Sequence, residues 1–423
     1  MSDPSPPERV HWPDGIDEAA FLARHWQREP LLIRQALPGF DSPLSQDELA
    51  GLALEPDTTP RLIRRDSTDR YALEHGPFAA DVFETLGPRD WSLLVTDVEK
   101  HLPELAAWIA PFRLAPDWRL DDLMISYAPD GASVGAHVDE YDVFLLQASG
   151  TRRWSIARSA DGDDGAFPSD AALLPDAFAP IRKHRTLADG DLALLAAFEP
   201  TDSWELVPGD VLYLPPGVPH HGVAVGDDCT TWSIGFRSPS AADAFLHVAE
   251  LVARRLPHAR LRDGGGGRGE PGRIDASAVT AIRTLWERAT RLDESAFVEL
   301  TGRLLTRGGP MAPDPDEPFD GDPEGARSGA ANDPVDDPGT WRPSPFVRLA
   351  WSERTNGEAL LFVDGDCLVC SNAFARRLCD PEEAPLRPPS PTDPIAPGDE
   401  DVATFAALLE RGALVRHDPD ETG

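Results

Sequence analysis

The sequence predicts an α+β protein built around a β-sandwich or barrel, and three observations carry that reading. From DDLMISYAP (121–129) to TTWSIGFRS (230–238) the chain is a series of short β-prone runs, DVFLLQA, RRWSI, LALLAAF and GDVLYLP, separated by Gly, Pro and Asp turns. On both sides of that region the apolar residues return to helical spacing. Residues 308–340 form an acidic Pro/Gly tract too polar to bury a core, which predicts a disordered linker and a separate unit beyond it. With 423 residues, 41% of them hydrophobic, the chain is long enough for two or three globular domains.

The elements follow in order. DEAAFLARHWQRE (17–29) has helical spacing, with Phe21 and His25/Trp26 on one face, and PLLIR (30–34) reads as a strand. SQDE (45–48) is a capping box that opens a helix through Leu49 and Leu52. DWSLLVTDVEKHLPELAAWIA (90–110) predicts a strand followed by an amphipathic helix. Beyond the β-rich centre, AADAFLHVAELVARRL (241–256) places Phe245, Val248/Ala249, Val252 and Leu256 on one stripe. GGGGRGEPG (264–272) reads as a flexible break. Two further helices follow, one with Ile282, Leu285, Ala289 and Leu292, the other with Phe297, Leu300 and Leu304. The tail from 341 predicts a small α+β unit. In it ALLFV-DG-DCLVC is a hairpin with an Asp-Gly type I′ turn, DEDVATFAALLERG a helix closed by Gly412, and ALVRH a last strand.

Composition narrows the function. A net charge of −34 repels bare nucleic acid and anionic membranes and favours a cationic partner or a salt-rich habitat. No apolar run reaches the length of a membrane span, and MSDPSPPERVHWPDG lacks the layout of a secretion signal, so a cytoplasmic location is expected. Cys229, Cys367, Cys370 and Cys379 are too few and too uneven for a disulfide framework. The CxxC of Cys367 and Cys370, with Cys379 nearby, lacks a fourth zinc ligand and reads as buried strand cysteines. Lys100 and Lys183 are the two lysines, so a cationic anchor in a pocket is expected to be arginine.

The chemistry concentrates in GAHVDEYDVFLLQASGTRRW (135–154) and GDVLYLPPGVPHHGVAV (209–225). In a strand, residues two apart share a face, so His137 and Asp139 would project an imidazole and a carboxylate side by side. In the second stretch a strand ends in a Pro-Pro-Gly turn and a histidine follows directly. His220 and His221 would point to opposite faces, leaving room for one of them beside the first pair. Two histidines and a carboxylate suit a redox iron with open positions, and zinc fits the same ligand types. Arg152 shares a strand face with Trp154, where a guanidinium could hold a substrate carboxylate in a bidentate pair, and Ser233 could add a hydroxyl.

DDLMISYAP, HVDEYDVFLLQASGTRRW, GDVLYLPPGVPHHG and SIGFRSP, together with FLARHWQREPLLIRQ nearer the N-terminus, resemble the bacterial ribosomal oxygenases. Those are JmjC-type cupin enzymes that hydroxylate an arginine of a large-subunit ribosomal protein. The resemblance implies a double-stranded β-helix (the cupin/JmjC jelly roll) with an N-terminal α/β elaboration. It implies an oxygenase domain over 1–240 with its barrel core at about 95–238, a helical dimerisation region over 241–307 and a winged-helix-like domain over 341–423. It assigns an Fe(II) triad to His137, Asp139 and His220, choosing His220 over its neighbour, and the 2-oxoglutarate anchor to Arg152. O2 is the co-oxidant, the partner a ribosomal protein, and the assembly a homodimer without direct nucleic-acid or membrane binding. The runner-up reading is a JmjC-type demethylase or small-molecule hydroxylase with the same iron site. The acidic linker and the proline-rich 380–398 segment depart from the family pattern.

Overall fold

The structure, a computed structural model, describes residues 6–67, 70–158, 186–189, 192–195, 197–237, 239–255, 274, 276–307, 339–380, 386–388 and 399–416. The chain divides into two compact units, 1–238 and 239–423. The GGGGRGEPG break, residues 308–338 of the acidic linker and most of the proline-rich 380–398 segment lie outside the described residues.

The first unit opens with α1 (Glu18–Arg24), β1 (Leu31–Ile33), α2 (Gln46–Leu52), β2 (Thr59–Arg65), β3 (Tyr71–His75), α3 (Ala80–Glu84) and β4 (Trp91–Thr96). The capping box forms as the sequence predicts: the Glu48 N–H donates to Ser45 Oγ (3.3 Å) and the Ser45 N–H to Glu48 Oε2 (2.8 Å). The amphipathic helix expected in the second part of 90–110 is interrupted. It becomes α4 (Val98–His101), a 3₁₀ turn over Pro103–Leu105 and α5 (Ala106–Ile109). Pro103 explains the break, since it has no N–H to donate and its ring clashes with the preceding turn.

The β-rich centre comprises β5 (Leu120–Ala128), β6 (Asp142–Ile156), β7 (Thr186–Asp189), β8 (Leu192–Leu195), β9 (Asp202–Leu206), β10 (Val211–Leu214) and β11 (His220–Phe236). The main antiparallel sheet runs β1-β10-β6-β11-β5-β4-β2-β3, with β9 added to the far half of β6, and β7 and β8 form a separate hairpin. Both faces of β6 are covered. Phe144, Leu146 and Ala148 pack with Trp232, Ile234, Phe21 and Leu49 on one side. Val143, Leu145, Trp154 and Ile156 pack with Leu206, Leu212 and Leu214 on the other. Burial on both sides explains why DVFLLQA is continuously apolar rather than alternating.

The sequence suggests a glycine turn between DVFLLQA and RRWSI, whereas the structure has one strand running through it. Ser149 pairs with Thr230 and Thr151 with Val225, so Gly150 faces the looped-out residues 226–229 of β11 without a register partner. This bulge shifts the alternation by one. Val143 and Leu145 before it and Arg152 and Trp154 after it therefore line the same cavity. Gly150 has φ +60°, and a Cβ there would lie 2.7 Å from the Asp228 carbonyl oxygen, a backbone atom that cannot swing away. Gly150→Ala is accordingly expected to destabilise the unit by about 1–3 kcal/mol. Chemical unfolding checks this, and an unchanged midpoint would show that the bulge tolerates a side chain.

The second unit contains α6 (Ala241–Arg255), α7 (Ala276–Ala289), α8 (Glu294–Thr306), β12 (Trp341–Pro343), β13 (Leu349–Glu353), β14 (Glu358–Val363), β15 (Asp366–Ser371), α9 (Asn372–Cys379), α10 (Asp399–Glu410) and β16 (Leu414–Arg416). β13-β14-β15 form one sheet and β12-β16 another. The β14–β15 turn has φ +47° at Asp364 and +86° at Gly365, the two left-handed positions that a type I′ turn requires. Gly412, at φ +67°, follows α10 as expected. Gly302 lets α8 lie against the Phe362 ring of β14, where a Cβ would come within 2.2 Å. On α6 and α7, Phe245 and Trp286 stack at 5.8 Å but stay 55% and 53% exposed, with Leu246, Val279 and Ile282 also open.

Candidate metal centre

Two segments build the site. β10 ends in Pro215-Pro216-Gly217, and Gly217, at φ +84°, donates its N–H to the Asp139 carbonyl (2.8 Å). β11 then starts at His220 and forms an isolated antiparallel bridge with His137, whose N–H and carbonyl both pair with those of His220 (3.0 and 2.9 Å). The strand expected to begin at His137 begins at Asp142. His137 and Asp139 converge because this bridge and the Gly217 contact hold an irregular loop, not because they alternate along a strand. Gly135, at φ +89° with Leu194 packed against it, turns the chain into that loop.

The three side chains meet. His137 Nε2 lies 3.8 Å from Asp139 Oδ1 and His220 Nε2 lies 3.5 Å from Asp139 Oδ2, with one potential ligand atom from each residue inside a 4.8 Å span. Each imidazole hydrogen-bonds through Nδ1 to the carbonyl two residues before it: His137 to Gly135 O (3.0 Å) and His220 to Val218 O (2.9 Å). A carbonyl only accepts, so each Nδ1 carries a proton and each Nε2 is left facing the centre. Burial, with His137 beside it, pushes His220 down to about 4. The ring is therefore neutral at neutral pH, the state that binds a metal. His221 is directed elsewhere, its Nε2 bonded to Ser133 Oγ (2.8 Å) and its ring against Phe198.

The cluster opens on a cavity of about 250 Å³ that Arg152 and Ser233 also line. Arg152 is 4% exposed, its guanidinium 5.7 Å from the Trp154 ring centroid and its Nε bonded to Cys229 Sγ (3.3 Å). It has no carboxylate partner among the described residues. A buried guanidinium left this way is costly unless a ligand supplies the anion. Sequence reasoning missed Trp154, Tyr141, Cys229 and Arg61 as site residues. RRW hinted at the first. Nothing in the sequence pointed to Arg61, which reaches the cavity from β2 and donates to Met124 Sδ (3.1 Å). The Tyr141 hydroxyl is held protonated well above its usual range by burial, with Asp139 and Asp122 adding to the effect.

Asp122 gives a pH signature. Burial, reinforced by Asp121, pushes its carboxyl up to about 8. In the unfolded chain it ionises near 4. Between these values the folded state holds a proton that the unfolded state has lost, so stability falls as pH rises from about 4 to about 8. The advantage of Asp122→Asn over the wild type is expected to grow from pH 5 to pH 8 in urea unfolding. A difference independent of pH would contradict the shift.

Comparison with known proteins agrees with this geometry. Residues 107–244 match the JmjC domain. The chain is 37% identical over 246 residues to the ribosomal protein uL16 3-hydroxylase of Escherichia coli, an alignment covering 58% of each protein. It is 36% identical over 251 residues to a probable ribosomal oxygenase of Haemophilus influenzae, covering 59% of this chain and 57% of that one. The sequence alignments thus span a little over half the length of these relatives. Structural superposition reaches further: E. coli YcfD matches 97% of this chain and 100% of its own, at 26% identity and a TM-score of 0.72. A structure of the same ribosomal oxygenase with cobalt and 2-oxoglutarate matches at a TM-score of 0.67. The fold is the JmjC cupin.

Proposed function

We propose that the chain is a JmjC-type ribosomal oxygenase, an iron(II)- and 2-oxoglutarate-dependent dioxygenase that hydroxylates the β-carbon of an arginine in a large-subunit ribosomal protein. The observation that carries the reading is one cavity shared by the His137–Asp139–His220 cluster and the buried, carboxylate-free Arg152. A zinc or manganese isomerase would need the first but not the second. The names of the E. coli and H. influenzae relatives support a ribosomal protein as substrate, uL16 in the first case.

In this reading His137, Asp139 and His220 hold the iron, and the donor set fits: two imidazoles presenting Nε2 and one carboxylate. Bound iron(II), with 2-oxoglutarate and dioxygen, supplies the oxidant for an unactivated C–H bond, with succinate and carbon dioxide as coproducts. The chain itself binds, orients and excludes water. Arg152 holds the far carboxylate of the cosubstrate by a charge-assisted pair, and Ser233 lends its hydroxyl. Val143, Leu145 and Trp154 give the cavity an apolar wall. The net charge of −34 suits a basic ribosomal protein. The same charge disfavours direct binding of DNA or RNA, and a cytoplasmic location is part of the same proposal.

The proposal is tested by succinate formation from 2-oxoglutarate in the presence of a recombinant ribosomal protein. Release should need both iron and 2-oxoglutarate and stop when a chelator removes the metal. Release with a small molecule but with no ribosomal protein would favour the runner-up reading.

A homodimer formed through 241–307 is part of the same proposal, with 341–423 as the winged-helix-like domain. The open faces of α6 and α7 around Phe245 and Trp286 support it, since such an apolar stripe needs a cover. Replacing Phe245 and Val252 by Glu is expected to yield monomers in light scattering. A wild type that is already monomeric would end the idea.

A further inference from the structure

Arg152 is held from behind by a buried polar chain. Its Nε donates to Cys229 Sγ (3.3 Å), and the same sulfur accepts from Gln147 Nε2 (3.5 Å). Gln147 Oε1 accepts from Thr231 Oγ1 (3.0 Å), and Gln147 Nε2 also donates to the Ser149 carbonyl (2.7 Å). Gln147, Cys229 and Thr231 are all 1% exposed or less. The bulge at Gly150 creates the arrangement, because Cys229 belongs to the residues that β11 loops out opposite that glycine. Ser149 Oγ, bonded to the Asp228 carbonyl (2.7 Å), ties the excursion down.

We propose that Cys229 is a positioning residue for Arg152, fixing the guanidinium through Nε so that its two Nη groups remain for the cosubstrate carboxylate. This rests on the reading of Arg152 as the 2-oxoglutarate anchor. A guanidinium on a flexible stem can rotate about its last bonds, and one contact at Nε removes that freedom while leaving the outer fork open. A weak sulfur acceptor suits the task better than a carboxylate. An aspartate here would neutralise the charge that the cosubstrate needs and compete with it for the fork. Gln147 and Thr231 in turn hold the sulfur in place.

The test is calorimetric titration of manganese(II)-loaded protein with 2-oxoglutarate, which reads binding without turnover. Cys229→Val and Cys229→Ala, which lack an acceptor, should each weaken binding about tenfold, the scale of one hydrogen bond to a charged group. Cys229→Ser restores an acceptor and should stay within about twofold of the wild type, which a purely structural role would not explain. Arg152→Ala should weaken binding more than any of these. If Val does not fold, Ala carries the comparison. Wild-type binding in Val and Ala beside a weakened Arg152→Ala overturns the inference and leaves the anchor standing. A Ser variant as weak as Val and Ala likewise overturns it, because loss of packing then suffices. Unchanged binding in Arg152→Ala removes the anchor itself.

Discussion

His137→Ala, Asp139→Ala and His220→Ala are each expected to remove iron-dependent turnover, while His221→Ala keeps most of it. Each of the first three contributes a ligand atom to a group inside a 4.8 Å span, and two remaining ligands hold a divalent iron poorly. His221 lies one residue from His220 but bonds Ser133 instead, so its loss leaves the cluster intact. Succinate release and bound-iron content, measured on the same preparations, check the series. An active His220→Ala beside a dead His221→Ala would overturn the assignment.

The second large effect is expected at Arg152. Arg152→Ala should raise the 2-oxoglutarate concentration for half-maximal turnover while iron content stays unchanged. Leaving a buried carboxylate without its partner costs on the order of 2–5 kcal/mol. The lower end of that range already corresponds to roughly thirtyfold in half-saturation. Titrating 2-oxoglutarate against succinate yield gives the answer, and an unmoved half-saturation point would take Arg152 out of the site.

Much of this site was legible in the sequence because its chemistry is local. HVD, PPGVPHH and RRW each lie within a few residues, and the turn that delivers His220 announces itself by Pro-Pro-Gly. His137 and Asp139 do not converge by strand alternation. Strand alternation places side chains by sequence alone, whereas these two are placed by a bridge to His220, some eighty residues on, and no local pattern encodes that pairing. The same limit hid the strand through Gly150. A glycine between two β-prone runs reads as a turn unless the partner strand is known to loop out opposite it. Arg61 and Cys229 were invisible for the same reason, since each reaches the cavity or its anchor only through sheet register. Short elements with their own chemistry fared best: the Ser45 capping box and the Asp364-Gly365 turn form where the sequence puts them. The amphipathic helix expected in the second part of 90–110 is broken at Pro103, a local breaker that outweighs the apolar periodicity.

The central claim is that this cavity oxidises an arginine of a ribosomal protein. The most direct measurement is the intact mass of ribosomal proteins from cells with and without this enzyme, followed by peptide mapping. The account predicts one large-subunit protein heavier by about 16 Da, a single oxygen atom, located on one arginine and lost in the His220→Ala strain. An identical set of masses in the two strains would contradict it.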